Sequence, residues 1–377
     1  MGRIVANPRE KIHRIIPAAV LREPSLQNDL TIVNLVGLVH GFVKRGHASD
    51  HGRRQMRGLR GAPVHFPFAP GCLILHPPCM IKAILTGLLK FVSICPLSAA
   101  RGLGRFVGFV FGRVLRHHRE DAFEALERSI PELSPAECKK TINTMYRLQG
   151  VHFLEMMWYS MRGLEAVKAA VEVDGLEHVE TARERGKGVL ALTAHIGNFE
   201  LMPMATAALG YKLSVIVKRI KNEAVNEVVG KLRTHEGLSF LATDHAYRDC
   251  LKALRRNEAV GMIIDQNMTR DSGVFVDFFG KPACTSPGLA YMAAQSQAPV
   301  VPVFIYRKPD GGFRLKVHPP LDPPEDRQPE TIHAATQLYT KVIEDAICVA
   351  PEQWIWMHRR WKTVQLEGQS GKERLKD

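Results

Sequence analysis

Apolar positions in this chain gather into short runs after residue 187, separated by stretches of helical period. The runs at 188–193, 213–217, 238–242, 260–264 and 300–305 are short and rich in Val, Ile and Leu, the pattern of strands covered on both faces. Between them, 201–209, 224–235 and 246–256 place apolar residues every three or four positions, as one buried helix face requires. This alternation predicts an α/β fold with a mostly parallel central sheet flanked by helices. Asp310-Gly311-Gly312, lying between Val303-Phe304-Ile305-Tyr306 and an apolar run at 313–317, predicts a hairpin and one antiparallel strand. Upstream, Ser134-Pro135-Ala136-Glu137 is a capping box with proline at the first helical position, opening a helix to about Met161. No repeat or low-complexity linker interrupts the chain after Met80, so one domain over 119–365 is expected, followed by a disordered tail at 366–377.

The stretch 80–100 is mostly apolar, and as a helix it would be ~30 Å long, the thickness of a hydrocarbon core. Lys82, Lys90 and Pro96 interrupt it. Arg101, Arg105, Arg113, Arg116 and Arg119 follow, a positive flank that favours the cytoplasmic side. Residues 103–115 set arginines against Phe106, Val107, Phe109, Val110 and Phe111, which suits a helix lying on a bilayer. Residues 80–118 therefore read as an N-terminal membrane-anchoring helical segment; a pair of buried core helices would give the same pattern. Residues 1–79 differ in character, with 11 Lys/Arg against 4 Asp/Glu and eight prolines. They read as a poorly ordered extension, with Met80 as the simplest alternative start. Met1 begins no apolar run, so no cleavable signal peptide is expected.

The formal net charge of +13 points to an anionic partner: nucleic acid, phospholipid headgroups, phosphorylated sugars or an acidic carrier protein. Without residues 1–79 it falls to +6, and no nucleic-acid reader motif appears, so no nucleic acid is expected. Seven dispersed cysteines with no C-x-x-C pair argue against a zinc site and a disulfide framework. His117-His118 and His358 lack a second ligand at metal spacing, so neither metal nor cofactor is expected.

One constellation carries chemistry. His195 follows a predicted strand and Glu200 falls in the first turn of the next helix, at the kind of strand end that lines ligand crevices in open α/β sheets. A histidine paired with a carboxylate serves as a general base for a hydroxyl, with the carboxylate orienting the ring and stabilising the imidazolium. Gly197 and Asn198 would bring N–H groups to a developing oxyanion. Only His195 among the 16 histidines has an acid five residues on, and composition alone makes such a pair unsurprising. A structural histidine at a strand end is the competing reading.

The surroundings add to this. Ala194-His195-Ile196-Gly197-Asn198-Phe199-Glu200, then Asp265-Gln266, then the run 273–283 with Thr285, then 298–303, and finally the tryptophan-rich 351–362 occur in the order seen in the bacterial lipid A biosynthesis acyltransferases. The chain resembles that family, part of the wider group of glycerolipid acyltransferases, from about Met80 to Lys362. The resemblance implies an enzyme at the cytoplasmic face of the bacterial inner membrane that transfers an acyl chain from acyl carrier protein to a hydroxyl on a phosphorylated glycolipid acceptor. It implies His195 as base with Glu200 as its partner, and Asn198, Arg219, Arg233, Asp265 and Gln266 as substrate-binding residues. Arg219 and Arg233 suit phosphate, although solvated charge is the plainer reading, as an N-cap and turn is for Asp265. Ala125 and Ile220 depart from the family pattern, where asparagine and proline are usual. Acceptors such as a phosphatidylinositol mannoside or an amino-acid-containing lipid remain open, as does a non-enzymatic scaffold.

Three further features have a bland reading beside a functional one. Phe275, Phe278 and Phe279 suit acyl contact or core. Ser286-Pro287-Gly288 reads as a helix start, which removes Cys284-Thr285-Ser286 as a nucleophile motif. Trp354, Trp356 and Trp361 with Arg359 and Arg360 suit a membrane interface or packing on the domain.

Overall fold

The computed structural model describes residues 77–365 apart from 218, 221 and 243–245; the expectations for 1–76 and 366–377 lie outside the described residues. The apolar N-terminal stretch forms two helices, α1 (Pro77–Ile94) and α2 (Leu97–Phe109). Pro96 lacks an N–H and pushes the residue before it out of the helical region, so the stretch turns a corner there and does not form one span. Among the described residues no helix is long and apolar enough to cross a membrane. A π-helical turn (Val110–Val114) leads to α3 (Arg119–Ser129) and to the long α4 (Pro135–Arg162). The expected capping box opens α4: Ser134 N donates to Glu137 Oε2 at 2.8 Å, and Glu137 N donates back to Ser134 Oγ.

Glycine decides how α2 meets α4. Gly104, Gly108 and Gly112 recur every four residues on one face, and a Cβ on Gly108 would stand 2.8 Å from Arg147 Cα. The two backbones therefore touch, which needs residues without side chains. The amphipathic reading of 103–115 changes accordingly: glycines form the buried face, Phe111 is buried, and Phe106 and Phe109 point outward.

The remainder alternates as the pattern predicts. In chain order come α5 (Leu164–Ala170), β1 (Val171–Asp174), α6 (Leu176–Glu184), β2 (Val189–Thr193), α7 (Met202–Ala208), β3 (Leu213–Val217), α8 (Glu223–Arg233), β4 (Leu238–Ala242), α9 (Ala246–Arg255) and β5 (Ala259–Ile263). Then follow β6 (Val274–Phe278), β7 (Lys281–Thr285), α10 (Gly288–Ser296), β8 (Val300–Arg307), β9 (Phe313–Val317) and α11 (Pro329–Val349). The main sheet has the order β1-β9-β8-β2-β5-β3-β4. From β8 to β4 its strands are parallel, and β9 returns antiparallel to β8 through the predicted hairpin.

A second hairpin, β6–β7, was not legible as strands. Its turn puts both Phe279 and Gly280 at positive φ, the requirement of a tight hairpin turn that Asn-Gly or Asp-Gly would have announced. Phenylalanine in that position hides the signal.

Alternate residues of the strands enter two cores. Leu190, Leu192 and Val260 pack with α4, α9, α10 and α11. Val189, Val301, Val303 and Leu315 face the other way, towards α5, α6 and α7. Helix α1 lies against α4 and α8, with Leu85 and Val92 in one buried cluster with Phe153, Val225 and Val229, and Lys82 paired with Glu227 at 2.7 Å.

Candidate active site

Parallel register builds the centre of the site. β2 and β5 are neighbours with Thr193 beside Ile263, so the residues two steps beyond each strand, His195 and Asp265, emerge side by side. His195 Nδ1 lies 2.7 Å from Asp265 Oδ1, and the backbone N–H of His195 donates to Asp265 Oδ2 at 2.9 Å. Trp354 Nε1 donates to the same oxygen at 2.8 Å. Burial would raise the Asp265 carboxyl, but the facing imidazole and these N–H donors overcome it and hold the group far below the usual carboxylate range. With Nδ1 held by a carboxylate, Nε2 is the nitrogen that accepts a proton. Gln266 Nε2 sits 3.1 Å from it. Asp265 and Gln266, expected to touch substrate, are instead the groups that grip the histidine.

Glu200 has a different partner from the one expected. Arg233 at the end of α8 clamps it, with Nη2 at 2.8 and 3.0 Å from the two carboxylate oxygens and Nε at 3.3 Å. This is a correction to the proposed His195–Glu200 pair: five residues along a strand-to-helix turn carry Glu200 past the ring, and the neighbouring strand supplies the carboxylate. Asn198 is also corrected. It is buried, and its Nδ2 reaches His152 O and Glu155 Oε2, each at 3.4 Å, so it faces the interior and not an oxyanion. Gly197, at φ +58°, donates its N–H to Gln353 O at 2.9 Å. Glu155 is fully buried between Arg101 and Arg307, tying helix α2 to the layer beneath the His195 turn. Arg219 is exposed and paired with Glu223, four residues on.

Below His195 the sheet face opens into a slot of about 370 Å³. His195, Glu200 and Arg233 line its end at the strand C-termini. Its walls are residues of six neighbouring strands from β9 to β4, among them Val189, Ala191, Leu213, Val215, Ala259 and Gly261, roofed by Met202, Pro203 and Thr206 of α7. Its far end, at the strand starts, is polar: Tyr211, Lys212 and the Arg256–Glu258 ion pair, with Asn257 donating to Arg183 O.

The C-terminal segment closes the site from behind. Ile196 bridges Trp354, and Trp354 and Trp356 are buried with Phe278. Indoles this deep cannot lie among lipid headgroups, so packing displaces the interfacial reading for these two residues, and the phenylalanines are likewise mostly core. Arg360, fully buried, donates to Cys284 O at 2.7 Å and to Thr285. Ser286 Oγ accepts from Gly288 N in the turn that precedes α10, whose N-cap is Pro287. Sequence reasoning had no signal for Trp354 as a ligand of Asp265, because 89 residues separate them.

A histidine–aspartate pair at parallel strand ends, beside an apolar slot, is suited to acid–base chemistry. A family model described as bacterial lipid A biosynthesis acyltransferase matches residues 72–363, and the chain belongs to that family of acyltransferases. It is 28% identical to a lipid A biosynthesis lauroyltransferase of Escherichia coli (strain K12) over 77% of this chain and 94% of that one. A lipid A biosynthesis palmitoleoyltransferase of the same organism is 26% identical, over 77% and 93%. A lipid A biosynthesis acyltransferase of Haemophilus influenzae is 24% identical, over 73% and 85%.

Proposed function

We propose that this acyltransferase moves a fatty acyl chain from its thioester on acyl carrier protein to a hydroxyl of a lipid A precursor, a phosphorylated glycolipid, in lipopolysaccharide biosynthesis. The observation that carries the reading is His195, gripped by Asp265, at one end of an apolar slot: base and chain site share one cavity. The acyl chain fills the slot with its carbonyl at the His195 end. The acceptor hydroxyl takes the place of the Gln266 amide at His195 Nε2. As the hydroxyl oxygen bonds to the carbonyl carbon its proton passes to Nε2, and Asp265 stabilises the imidazolium. The tetrahedral intermediate then collapses, the C–S bond breaks, and the thiolate leaves with the proton from His195, so no acyl-enzyme forms. Arg233, fixed by Glu200, supplies positive charge at that end for the oxyanion or an acceptor phosphate. Glu200 thus acts through Arg233.

The reading includes a location, the cytoplasmic face of the bacterial inner membrane. Phe91, Phe106 and Phe109 are exposed on α1 and α2 with Arg105 nearby and Arg113 just beyond, a mixture that suits an anionic lipid surface. Other exposed positive charge would meet the acidic carrier protein.

The test is acyl transfer from a panel of acyl-carrier-protein thioesters to a tetraacylated, Kdo-bearing lipid A precursor, comparing the chain with its His195→Ala variant. The expected result is a product heavier by one acyl group with the wild type alone. Full activity in the variant refutes the base. Thioester cleavage without transfer by the wild type refutes the acceptor and turns attention to other membrane lipids.

A further inference from the structure

Gly261 lies in the middle of β5, a strand paired on both sides, opposite Ala191 on β2 and Val215 on β3. Glycine weakens a strand interior, and where it occurs it marks a bulge, a close backbone approach or a ligand passing over the chain. The first two causes are absent here. No bulge sits at Gly261: register with β2 runs on past it, and the one-to-one pairing with β3 reaches as far as it, at Val215; its φ lies outside the left-handed region, and an added Cβ would meet only Leu213 Cδ1 at 3.5 Å, Val215 Cγ2 at 3.8 Å and Ser214 O at 4.0 Å, ordinary contacts. The slot passes directly over it.

From the level of Thr193 and Ile263 to that of Val189 and Ala259 the walls descend four residues, about 13 Å at ~3.3 Å per residue. Gly261 is at the midpoint. With Ala191 beside it, it leaves the lower half of the slot open as far as the polar end made by Lys212, Glu258 and Asn257, where a methyl terminus gains nothing by going further.

We infer that Gly261 determines how long an acyl chain the slot accepts: the missing side chain admits the far half of the chain, and the polar end sets the upper limit. This rests on the proposed acyl-transfer reading.

The experiment uses the full chain, with acyl-carrier-protein thioesters of eight, ten, twelve and fourteen carbons competing in one reaction, for wild type, Gly261→Ala and Gly261→Leu. Binding of free fatty acids of the same lengths, read by thermal shift, is measured alongside. The ratio of eight- to fourteen-carbon transfer should rise by about tenfold or more in Gly261→Leu, since even one methylene is worth about 10-fold or more in a fitted apolar pocket. Gly261→Ala, whose methyl group meets only ordinary contacts, should shift it the same way by a smaller factor, and it stands in for Gly261→Leu should the larger variant fail to fold. A wild type that selects by length while the folded variants keep its profile overturns the proposal and leaves the acyl-transfer reading intact. A wild type that neither transfers nor binds any chain removes that reading, and the proposal with it.

Discussion

At the residue scale the site turns on which carboxylate holds His195. Asp265 makes two hydrogen bonds to that residue and takes a third from Trp354, whereas Glu200 is engaged by Arg233. Asp265→Asn should therefore lower kcat by about 10³-fold or more, because an amide presents the wrong partner to Nδ1. Glu200→Gln should cost less in kcat and more in KM for the acceptor. Steady-state transfer rates on both variants check the order, and equal kcat losses would count against the assignment. A second expectation concerns pH. Burial, with His195 nearby, holds His358 down at about 3 from its ordinary 6.5, and burial also lowers His152, which stands beside Arg307. Both imidazoles take up protons on unfolding before they do so in the folded protein. Stability should thus fall as pH drops below about 6.5 and keep falling towards the folded value of His358 near 3. Thermal unfolding between pH 7 and pH 4 measures the slope, which should be shallower in His358→Gln. His195 and Glu200 were both legible as candidates from spacing, but their actual partners, Asp265 and Arg233, were not, since a partner on another element leaves no local trace.

At the scale of elements, the α2–α4 crossing is set by absent side chains. Gly108→Val would drive two methyl groups into the backbone of α4 and should cost ~3 kcal/mol, visible as a lower denaturant midpoint. Gly102, on the same helix with nothing within 4 Å, is the control: Gly102→Ala should be neutral or stabilising by up to ~1 kcal/mol. The strands from β2 to β5, the β8–β9 hairpin and the capping box of α4 were readable because each depends on local pattern. The β6–β7 hairpin was not, because Phe279 occupies a left-handed position normally marked by Asn, Asp or Gly. The apolar stretch at 80–100 showed its length in sequence, yet Pro96 divides it, and its packing on α4 and α8 appears only once those helices are folded.

At the scale of the whole molecule, a slot with polar ends and apolar walls lies in the same domain as a pair of helices whose outer face carries exposed phenylalanines. Replacing Phe106 and Phe109 by aspartate should weaken sedimentation with vesicles of anionic phospholipid, because both apolar contact and charge attraction are lost. Hydrolysis of a water-soluble acyl thioester should be affected far less, since neither side chain lines the slot. Unchanged vesicle binding would count against this face as the membrane contact.

The order of strands and helices, the position of His195 at a strand end and the family resemblance were determined by the sequence itself, because period, turn chemistry and motif order are properties of neighbouring residues. The partner of the base, the clamp on Glu200, the inward turn of Asn198, the burial of Trp354 and the open path over Gly261 were decided only by the tertiary structure. Each arises where residues tens of positions apart are brought together by parallel register or by a closing C-terminal segment, and their contacts follow from the packing of whole elements.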